Sequence, residues 1–266
     1  MKIGIVGCAG RMGRMLIQTV LAHDTASLSG GTEHAGSDVL GKDLGSIAGV
    51  EMTGLTATED AQALFLASDV VVDFTTPMAS VFHAGLAAET GTALVVGTTG
   101  MGLDEIARLS DAATSACIVQ AGNMSVGVNL LSGLVERVSA TLGVDFDIEI
   151  VEMHHHHKVD APSGTALMLG EAAATGRGVD LDAVSQRARD GHTGPRQSGD
   201  IGFASLRGGD VVGDHSVIFA GEGERIELTH KAASRAIFAN GAIRAAFWTK
   251  GQAPGLYSMK QVLGLD

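Results

Sequence analysis

The chain has 266 residues, of which 45% are hydrophobic, and its formal net charge is −12 at pH 7. This length and composition exclude a disordered chain and allow two ordinary domains. The acidic charge excludes an extended contact with nucleic acid, because phosphate contacts need clustered Lys and Arg. Two widely spaced cysteines, the absence of a leader pattern and the absence of a run of about 20 apolar residues predict a cytoplasmic protein that does not bind membranes.

The first 121 residues alternate between short apolar runs and helical patterns. The predicted strands are Lys2–Val6, Ser27–Thr32, Val70–Asp73, Ala93–Val96 and Cys117–Ala121, and the predicted helices begin at Arg11, Pro77 and Leu103. The Gly-rich segment that ends at Gly49 has no readable pattern. Strands that alternate with helices predict an α/β fold with a Rossmann-like, doubly wound parallel sheet.

The pattern changes after Asn123. A helix is predicted over 126–142, a strand follows it up to the histidines, and a helix begins near Thr165. Three later runs look extended and have no helix between them: 201–206, 211–220 and 225–230. They predict a second α+β domain with a mixed or antiparallel sheet. Residues 187–199 are predicted to form a mobile surface loop, and a helical pattern returns over 235–249.

A glycine turn separates the first strand from the first helix. Its residues are Gly7, Cys8, Ala9, Gly10, Arg11, Met12 and Gly13. Glycines at this place let the backbone approach a pyrophosphate, and the helix N-terminus offers N–H donors. Glu33 follows the second strand, where an acidic side chain accepts from a ribose hydroxyl. Together they predict a dinucleotide site, although the spacing is G-x-x-G-x-x-G and a purely structural turn is the alternative.

Two further loops follow predicted strands. The first contains Gly97, Thr98 and Thr99, and the second contains Ala121, Gly122, Asn123 and Met124. Open parallel sheets hold ligands at the carboxyl ends of their strands. We therefore expect both loops to face the nicotinamide half of the cofactor, with ordinary small-residue loops as the alternative.

The segment from Glu152 to Thr165 contains four consecutive histidines and Lys158. Imidazole titrates near neutrality and an ammonium can donate a proton, so a proton-transfer site is the first hypothesis. The alternatives are a purification tag, a metal site and a solvated strand end. Because successive residues of a strand point to opposite faces, we expect His154 and His156 on one face and His155 and His157 on the other. No local Cys or second His pair completes a metal shell, so no metal ion is expected.

The residues Ser163, Gly164 and Thr165 precede an apolar helical run. Ser163 is therefore a predicted N-cap, and the following backbone N–H groups can bind a carboxylate at the positive helix end. Lys158 lies a few residues upstream, within reach of the same small acidic molecule. The alternative is an ordinary helix cap beside a surface lysine.

Several motifs together resemble the 4-hydroxy-tetrahydrodipicolinate reductase (dihydrodipicolinate reductase) family of bacterial lysine and diaminopimelate synthesis. They are V-G-C-A-G-R-M-G near the N-terminus, D-F-T at Asp73, V-G-T-T-G at Val96, N-M-S-V-G-V-N at Asn123, H-H-H-H-K-V-D-A-P-S-G-T-A at His154 and F-A-N-G-A at Phe238. The resemblance covers nearly the whole chain, and the histidine-lysine motif is its most specific part.

The resemblance implies an enzyme that uses NADH or NADPH to reduce a cyclic, imine-bearing dicarboxylate, usually as a homotetramer. By matching motif, His154 would donate or accept a proton, Lys158 would donate one, and His155, Gly164 and Thr165 would contact the substrate. The glycine turn from Gly7 to Met12, Glu33 and the two later loops would bind the cofactor. Residues 1–125 and 235–266 would form the dinucleotide-binding domain, and residues 126–234 the substrate-binding and oligomerisation domain.

One position departs from the family pattern. Relatives often carry Arg after the acid at Glu33, where it holds the 2′-phosphate of NADP, and this chain has His34. We expect NADH to serve at least as well as NADPH, with Arg11 as a substitute phosphate contact. His156 is assigned no role. The rival functions are another nicotinamide-dependent reductase of a small amino or keto acid, a non-catalytic NAD(P) sensor and a histidine-rich metal carrier.

Overall fold

The computed structural model describes residues 1–265, which divide into two compact units. The first unit contains residues 1–126 and 236–264, and the second contains residues 127–235 with Leu265. Among the described residues, no helix is both long enough and apolar enough to cross a bilayer.

The first unit is built on a parallel sheet of six strands. Its elements are β1 (Lys2–Val6), α1 (Arg11–Leu21), β2 (Ser27–Thr32), α2 (Leu44–Ala48), α3 (Ala61–Ala67), β3 (Val70–Asp73), α4 (Pro77–Thr90), β4 (Ala93–Val96), α5 (Leu103–Ala112) and β5 (Cys117–Gln120). The strands lie in the order β11-β5-β4-β3-β1-β2, in which the edge strand is β11 (Gly255–Tyr257). The two helices next to it in sequence are α9 (Ala236–Trp248) and α10 (Met259–Leu263). The predicted Rossmann-like sheet is confirmed.

Helices cover both faces of this sheet because its strands are apolar on both faces. Val70 and Val72 pack into a core with residues of α1, α2, α9 and α10. Val71, between them, packs into a second core with residues of α3, α4 and α5. Since successive residues of a strand point to opposite faces, a continuous run of valines buries both sides.

The second unit has a mixed sheet of five strands. Its elements are α6 (Val126–Leu142), which begins at the boundary, a 3₁₀ turn (Gly143–Asp145), β6 (Asp147–His154), α7 (Gly164–Arg177), α8 (Leu181–Val184), β7 (Ser185–Gln186), β8 (Ile201–Arg207), β9 (Gly213–Gly221) and β10 (Glu224–Ala232). The strand order is β10-β9-β6-β8-β7, with β6 parallel to β8 and antiparallel to β9. The predicted α+β unit with a mixed sheet is therefore confirmed.

Two local segments differ from what their sequence predicted. The Gly-rich segment before Gly49 contains α2, whose first N–H groups donate to the carboxylate of Asp43. The expected continuation of a strand through the histidines is wrong, because β6 ends at His154 and the N–H of Lys158 donates to the carbonyl of His155 in a turn. The alternation of side chains therefore stops at His154.

Candidate active site

The glycine turn of the first unit has the close backbone packing that an anion-binding turn needs. Gly7 has a positive φ of 65°, and a Cβ at Gly13 would overlap the carbonyl oxygen of Gly7. Gly10 is the N-cap of α1 and supplies no side-chain cap, so the first N–H groups of the helix are not occupied by its own N-cap. This combination fits the pyrophosphate of a dinucleotide.

The side chains of the same turn differ in orientation. Cys8 is fully buried in the core, and burial, followed by the charge of Glu33, raises the pKa of its thiol to about 12. Met12 is half-buried against that core, whereas Arg11 is exposed. A contact of Cys8 with a cofactor would therefore use its backbone, and Arg11 can offer its charged side chain.

Glu33 lies against the glycine turn. Its Oε1 accepts a hydrogen bond from the N–H of Ala9 at 3.1 Å, and its Oε2 lies 3.0 Å from Nδ1 of His34. Only 13% of the Glu33 side chain is exposed, whereas 78% of the His34 side chain is. The acid is thus fixed beside the turn, and the imidazole that follows it is open to solvent.

The loop after β4 rests on a buried carboxylate. Asp73 Oδ1 accepts hydrogen bonds from the backbone and hydroxyl of Thr75 and from the hydroxyl of Thr98, and Oδ2 lies 2.8 Å from Nδ1 of His83. Burial raises the pKa of Asp73, but the hydrogen bonds and charge of His83 and the bonds of Thr75 outweigh it and lower this pKa. The Thr98 side chain therefore points inward, while the next residue, Thr99, is exposed.

The loop after β5 also divides between core and surface. Gly122 is exposed and Ala121 is half-buried, and the N–H of Ala121 donates to the carbonyl of Val96. Asn123 Oδ1 accepts a hydrogen bond from the N–H of Ser125, and Met124 is 1% exposed in the core. A cofactor contact of Met124 would be made by its backbone.

In the second unit, His154 is the last residue of β6 and is buried. Its Nδ1 lies 2.5 Å from Oε2 of Glu152, and its ring makes an edge contact with the ring of His215 at 5.0 Å between centroids. The guanidinium of Arg207 donates to both oxygens of Glu152, each at 2.9 Å. Burial raises the pKa of Glu152, but hydrogen bonds from Arg207, Ser205 and His154 outweigh burial and lower this pKa to about 2.

The other histidines lie in the turn that follows. The N–H of His155 donates to the carbonyl of Val211, and its buried Nδ1 has no partner among residues 1–265. Partial burial, followed by the charge of Arg235, lowers the pKa of the His155 imidazole. His156 Nδ1 contacts the carbonyl of Gly209 at 2.9 Å, and His157 is exposed.

Lys158 ends the turn and is held by a neighbouring carboxylate. Its Nζ donates to the two oxygens of Asp160 at 2.7 and 2.9 Å, and 19% of the Lys158 side chain is exposed. This ion pair lowers the pKa of Asp160. A substrate that receives a proton from Lys158 must therefore compete with Asp160 for the ammonium.

The N-terminus of α7 has the predicted cap. Ser163 Oγ accepts from the N–H of Ala166 at 3.1 Å and lies 3.0 Å from Nε2 of the buried His215. Burial, followed by the charge of His154, lowers the pKa of His215 to about 4, so this imidazole is neutral at pH 7. Gly164 is exposed, and open space lies where its Cβ would be.

In the second unit, the structure brings together most of the groups that sequence predicted. A buried imidazole, an ammonium and an exposed helix N-terminus occur within one short segment, which suits proton donation beside a carboxylate. No group of three or more His, Cys, Asp or Glu side chains in residues 1–265 is arranged to hold a metal ion. Sequence reasoning missed the partners that fix these groups: Glu152, Arg207 and His215 here, and His83 in the first unit. No local motif marks Arg207, His215 or His83, and Glu152 opens the histidine segment without a predicted role.

The six-stranded parallel sheet, its glycine turn and Glu33 define a Rossmann-type dinucleotide-binding protein. The family described as "Dihydrodipicolinate reductase, N-terminus" matches residues 1–124, and "Dihydrodipicolinate reductase, C-terminus" matches residues 127–263. The chain belongs to the dihydrodipicolinate reductase family.

Curated relatives match the chain over its whole length. The 4-hydroxy-tetrahydrodipicolinate reductase of Roseobacter denitrificans is 56% identical over 265 residues, which cover 100% of this chain and 97% of the relative. The enzyme of the same name from Brucella abortus is 55% identical over 267 residues, with 100% of both chains covered.

Solved structures show the same fold. A dipicolinate-bound dihydrodipicolinate reductase from Paenisporosarcina sp. TG-14 superposes with a TM-score of 0.77 at 24% identity over 97% of each chain. A diaminopimelate (DAP) dehydrogenase from C. glutamicum has a TM-score of 0.56 at 13% identity, covering 97% of this chain and 92% of that one. At these identities the likeness concerns the fold alone.

Proposed function

We propose that the protein catalyses the NADH- or NADPH-dependent reduction of 4-hydroxy-tetrahydrodipicolinate (dihydrodipicolinate) to tetrahydrodipicolinate in diaminopimelate and lysine synthesis. The observation that carries this proposal is the second unit's segment in which His154, Lys158 and the N-terminus of α7 occur together. That segment offers proton donors and a carboxylate site to one small, doubly acidic ring. Membership of the dihydrodipicolinate reductase family supports the same reaction.

The dinucleotide-binding domain, residues 1–125 and 235–266 in the proposed division, binds the dinucleotide. The turn from Gly7 to Met12 would hold the pyrophosphate, and Glu33 would accept from a ribose hydroxyl. The loops at Gly97–Thr99 and Ala121–Met124 would contact the nicotinamide half. When bound, NADH or NADPH supplies a hydride.

The substrate-binding domain, residues 126–234 in the same division, lies almost entirely in the second unit and binds the substrate. The N–H groups of Gly164 and Thr165 at the positive end of α7 would bind one carboxylate, and His155 would contact the substrate beside them. Hydride addition to a carbon–nitrogen double bond leaves negative charge that a proton must neutralise. Lys158 Nζ would donate this proton after leaving Asp160, and His154 Nε2 would donate or accept a proton, which together are worth roughly 10²–10⁴-fold in rate.

The test of this function is NADH consumption with the condensation product of pyruvate and aspartate semialdehyde. The expected result is rapid, enzyme-dependent oxidation of NADH that needs both condensation partners. Oxidation with pyruvate or another keto acid alone would indicate the rival reductase instead. Dinucleotide binding without turnover on any of these compounds would indicate a sensor, and stoichiometric zinc or nickel in the purified protein would indicate a metal carrier.

The exposed imidazole of His34 leads to a prediction about cofactor choice. Without an arginine at this position, the 2′-phosphate of NADPH gains little over the hydroxyl of NADH, so kcat/KM for NADH should equal or exceed that for NADPH. His34→Arg should raise kcat/KM for NADPH by about tenfold, which corresponds to about 1.4 kcal/mol. A wild-type preference for NADPH of about a hundredfold, or about 2.7 kcal/mol, would contradict this account.

We also propose that the enzyme is a cytoplasmic homotetramer that associates through the sheet of the second unit. One face of this sheet packs against α6 and α7, while the opposite face carries Val151, Ile218 and Leu206. None of these three is buried, and Leu206 is 50% exposed. Light scattering should give four times the 27.1 kDa chain mass, and a monomer at assay concentration would contradict the proposal.

A further inference from the structure

Glu152 follows two apolar residues on the face of β6 that points into the core, and His154 comes after it on the same face. Ile148, Ile150 and Glu152 share the face that packs against α7, and Glu152 is 1% exposed. A buried carboxylate is unfavourable unless charged or hydrogen-bonded partners compensate for the lost hydration. The partners of Glu152 therefore show what this carboxylate does.

The first partner is the imidazole of His154. Because hydrogen bonds from Arg207, Ser205 and His154 keep Glu152 ionised, its Oε2 can only accept, so Nδ1 of His154 at 2.5 Å must carry the hydrogen. This fixes the ring with Nε2 as its second nitrogen, which has no hydrogen-bond partner in the described part of the chain. Gly213 leaves room for this nitrogen, since a Cβ there would lie 3.0 Å from it.

The second partner connects Glu152 to the lysine. Arg207 binds both oxygens of Glu152 and also donates from Nη2 to the carbonyl of Asp160 at 2.6 Å. Asp160 in turn holds Nζ of Lys158. The carboxylate of Glu152 is thus hydrogen-bonded directly to His154 and is connected to Lys158 through Arg207 and Asp160.

The third partner is the N-cap of α7. The N–H of Ser163 donates to Oε1 of Glu152 at 3.3 Å, although the two residues lie eleven positions apart. Neutral His215 lies on β9 directly opposite Glu152, and its Nε2 is 3.0 Å from the hydroxyl of the same serine. The helix N-terminus and the imidazole of His154 are therefore tied to one carboxylate.

We propose that Glu152 is a positioning residue of the reductase: its buried carboxylate holds His154 with Nδ1–H directed inward and Nε2 available to the substrate, and ties this ring to the Lys158 loop and the N-terminus of α7. This inference rests on the proposed function, because the reaction gives the three groups a common task. Glu152 touches no reacting atom itself and acts through His154, Arg207 and Ser163.

The test compares Glu152→Gln with Glu149→Gln. Both glutamates lie on β6 and bind arginines, but Glu149 points to the other face and pairs with Arg189 and Arg196. Within residues 1–265 it contacts no imidazole. Glu152→Gln should lower kcat about 10- to 100-fold with an unchanged Kd for NADH and an altered pH profile of kcat, which is part of the roughly 10²–10⁴-fold worth of acid–base catalysis. Glu149→Gln should keep kcat within about twofold of wild type. Equal kcat values for the two variants would overturn the proposal.

A second measurement does not depend on turnover. In ¹⁵N NMR spectra of the wild-type protein without substrate, His154 should show a protonated Nδ1, and Glu152→Gln should weaken or remove this signal. A wild-type His154 with an unprotonated Nδ1 would overturn the positioning role, even if Glu152→Gln proved unable to fold. A wild-type protein with the expected signal but no reductase activity would instead contradict the proposed function, so the two failures are distinguishable.

Discussion

Each of the two units contains a buried carboxylate that is hydrogen-bonded to Nδ1 of a buried histidine. In the first unit, Asp73 ends β3 and binds His83 at 2.8 Å; in the second, Glu152 lies near the end of β6 and binds His154 at 2.5 Å. The difference lies in the surroundings. The Asp73 pair is completed by the threonines of neighbouring loops, whereas the Glu152 pair is completed by the cation of Arg207.

A buried carboxylate–imidazole pair thus has a different purpose in each unit. His83 packs against the rings of Phe65 and Phe82, so its pair holds together the end of the sheet and the loop at Thr98. His154 lies in the same segment as Lys158 and the N-terminus of α7, so its pair directs an imidazole towards the proposed substrate. The first pair should therefore matter for stability and the second for turnover.

The largest difference between the two carboxylate–histidine pairs should appear when His154 is replaced. His154→Gln should lower kcat by about 10²–10³-fold because the proposed proton donor is lost, while the Kd for NADH stays within about twofold of wild type. Stopped-flow kinetics and fluorescence titration measure the two quantities. The matched control is His192→Gln, at an exposed position of the 187–199 segment, and a loss of kcat as large in the control would remove the distinction.

The first pair can be broken by His83→Leu. This change leaves Asp73 buried without its imidazole partner and should lower the free energy of unfolding by about 3–5 kcal/mol. Urea unfolding of this variant, with His192→Leu as the exposed control, measures the loss. A destabilisation below about 0.5 kcal/mol would show that the Asp73–His83 pair does not hold the sheet end together.

A smaller effect is expected in the pH dependence of stability. The folded-state pKa of His215 is lowered to about 4, below its ordinary 6.5, so the unfolded chain binds a proton at this residue between these values and the folded protein does not. The free energy of unfolding is therefore not reduced by this residue above pH 6.5, and it decreases as the pH falls from 6.5 towards 4. His215→Gln should reduce by about one the number of protons taken up on unfolding in this window. An unchanged pH dependence of urea unfolding would contradict a neutral, buried His215.

Much of the fold was predictable because its signals are local. Runs such as Val70–Asp73 and the helix start at Thr76–Pro77 gave the alternation of the first unit, and the absence of helices between the late strands gave the mixed sheet. The short helix α2 was not predicted because five residues carry no readable period, and its start depends on the carboxylate of Asp43. The end of β6 at His154 was missed because a run of identical residues contains no signal for where alternation stops.

The candidate site was predictable only where its residues are close in sequence. The glycine turn, the acid at Glu33 and the segment around Lys158 could be recognised as motifs. The bond from Arg207 to Glu152 joins residues 55 positions apart, and it exists because β8 lies parallel to β6 with Arg207 opposite His154. Sheet register, which a single sequence does not specify, therefore decided which side chains support the site.

The central claim is that the histidine-lysine segment supplies the proton for a reduction that uses NADH. Its most direct test is the rate of NADH consumption by Lys158→Ala, with substrate made from pyruvate and aspartate semialdehyde and with Lys42→Ala as the surface control. We expect kcat of Lys158→Ala to fall by roughly 10²–10⁴-fold, with NADH binding and the rate of the control unchanged. Wild-type turnover by Lys158→Ala would contradict the claim.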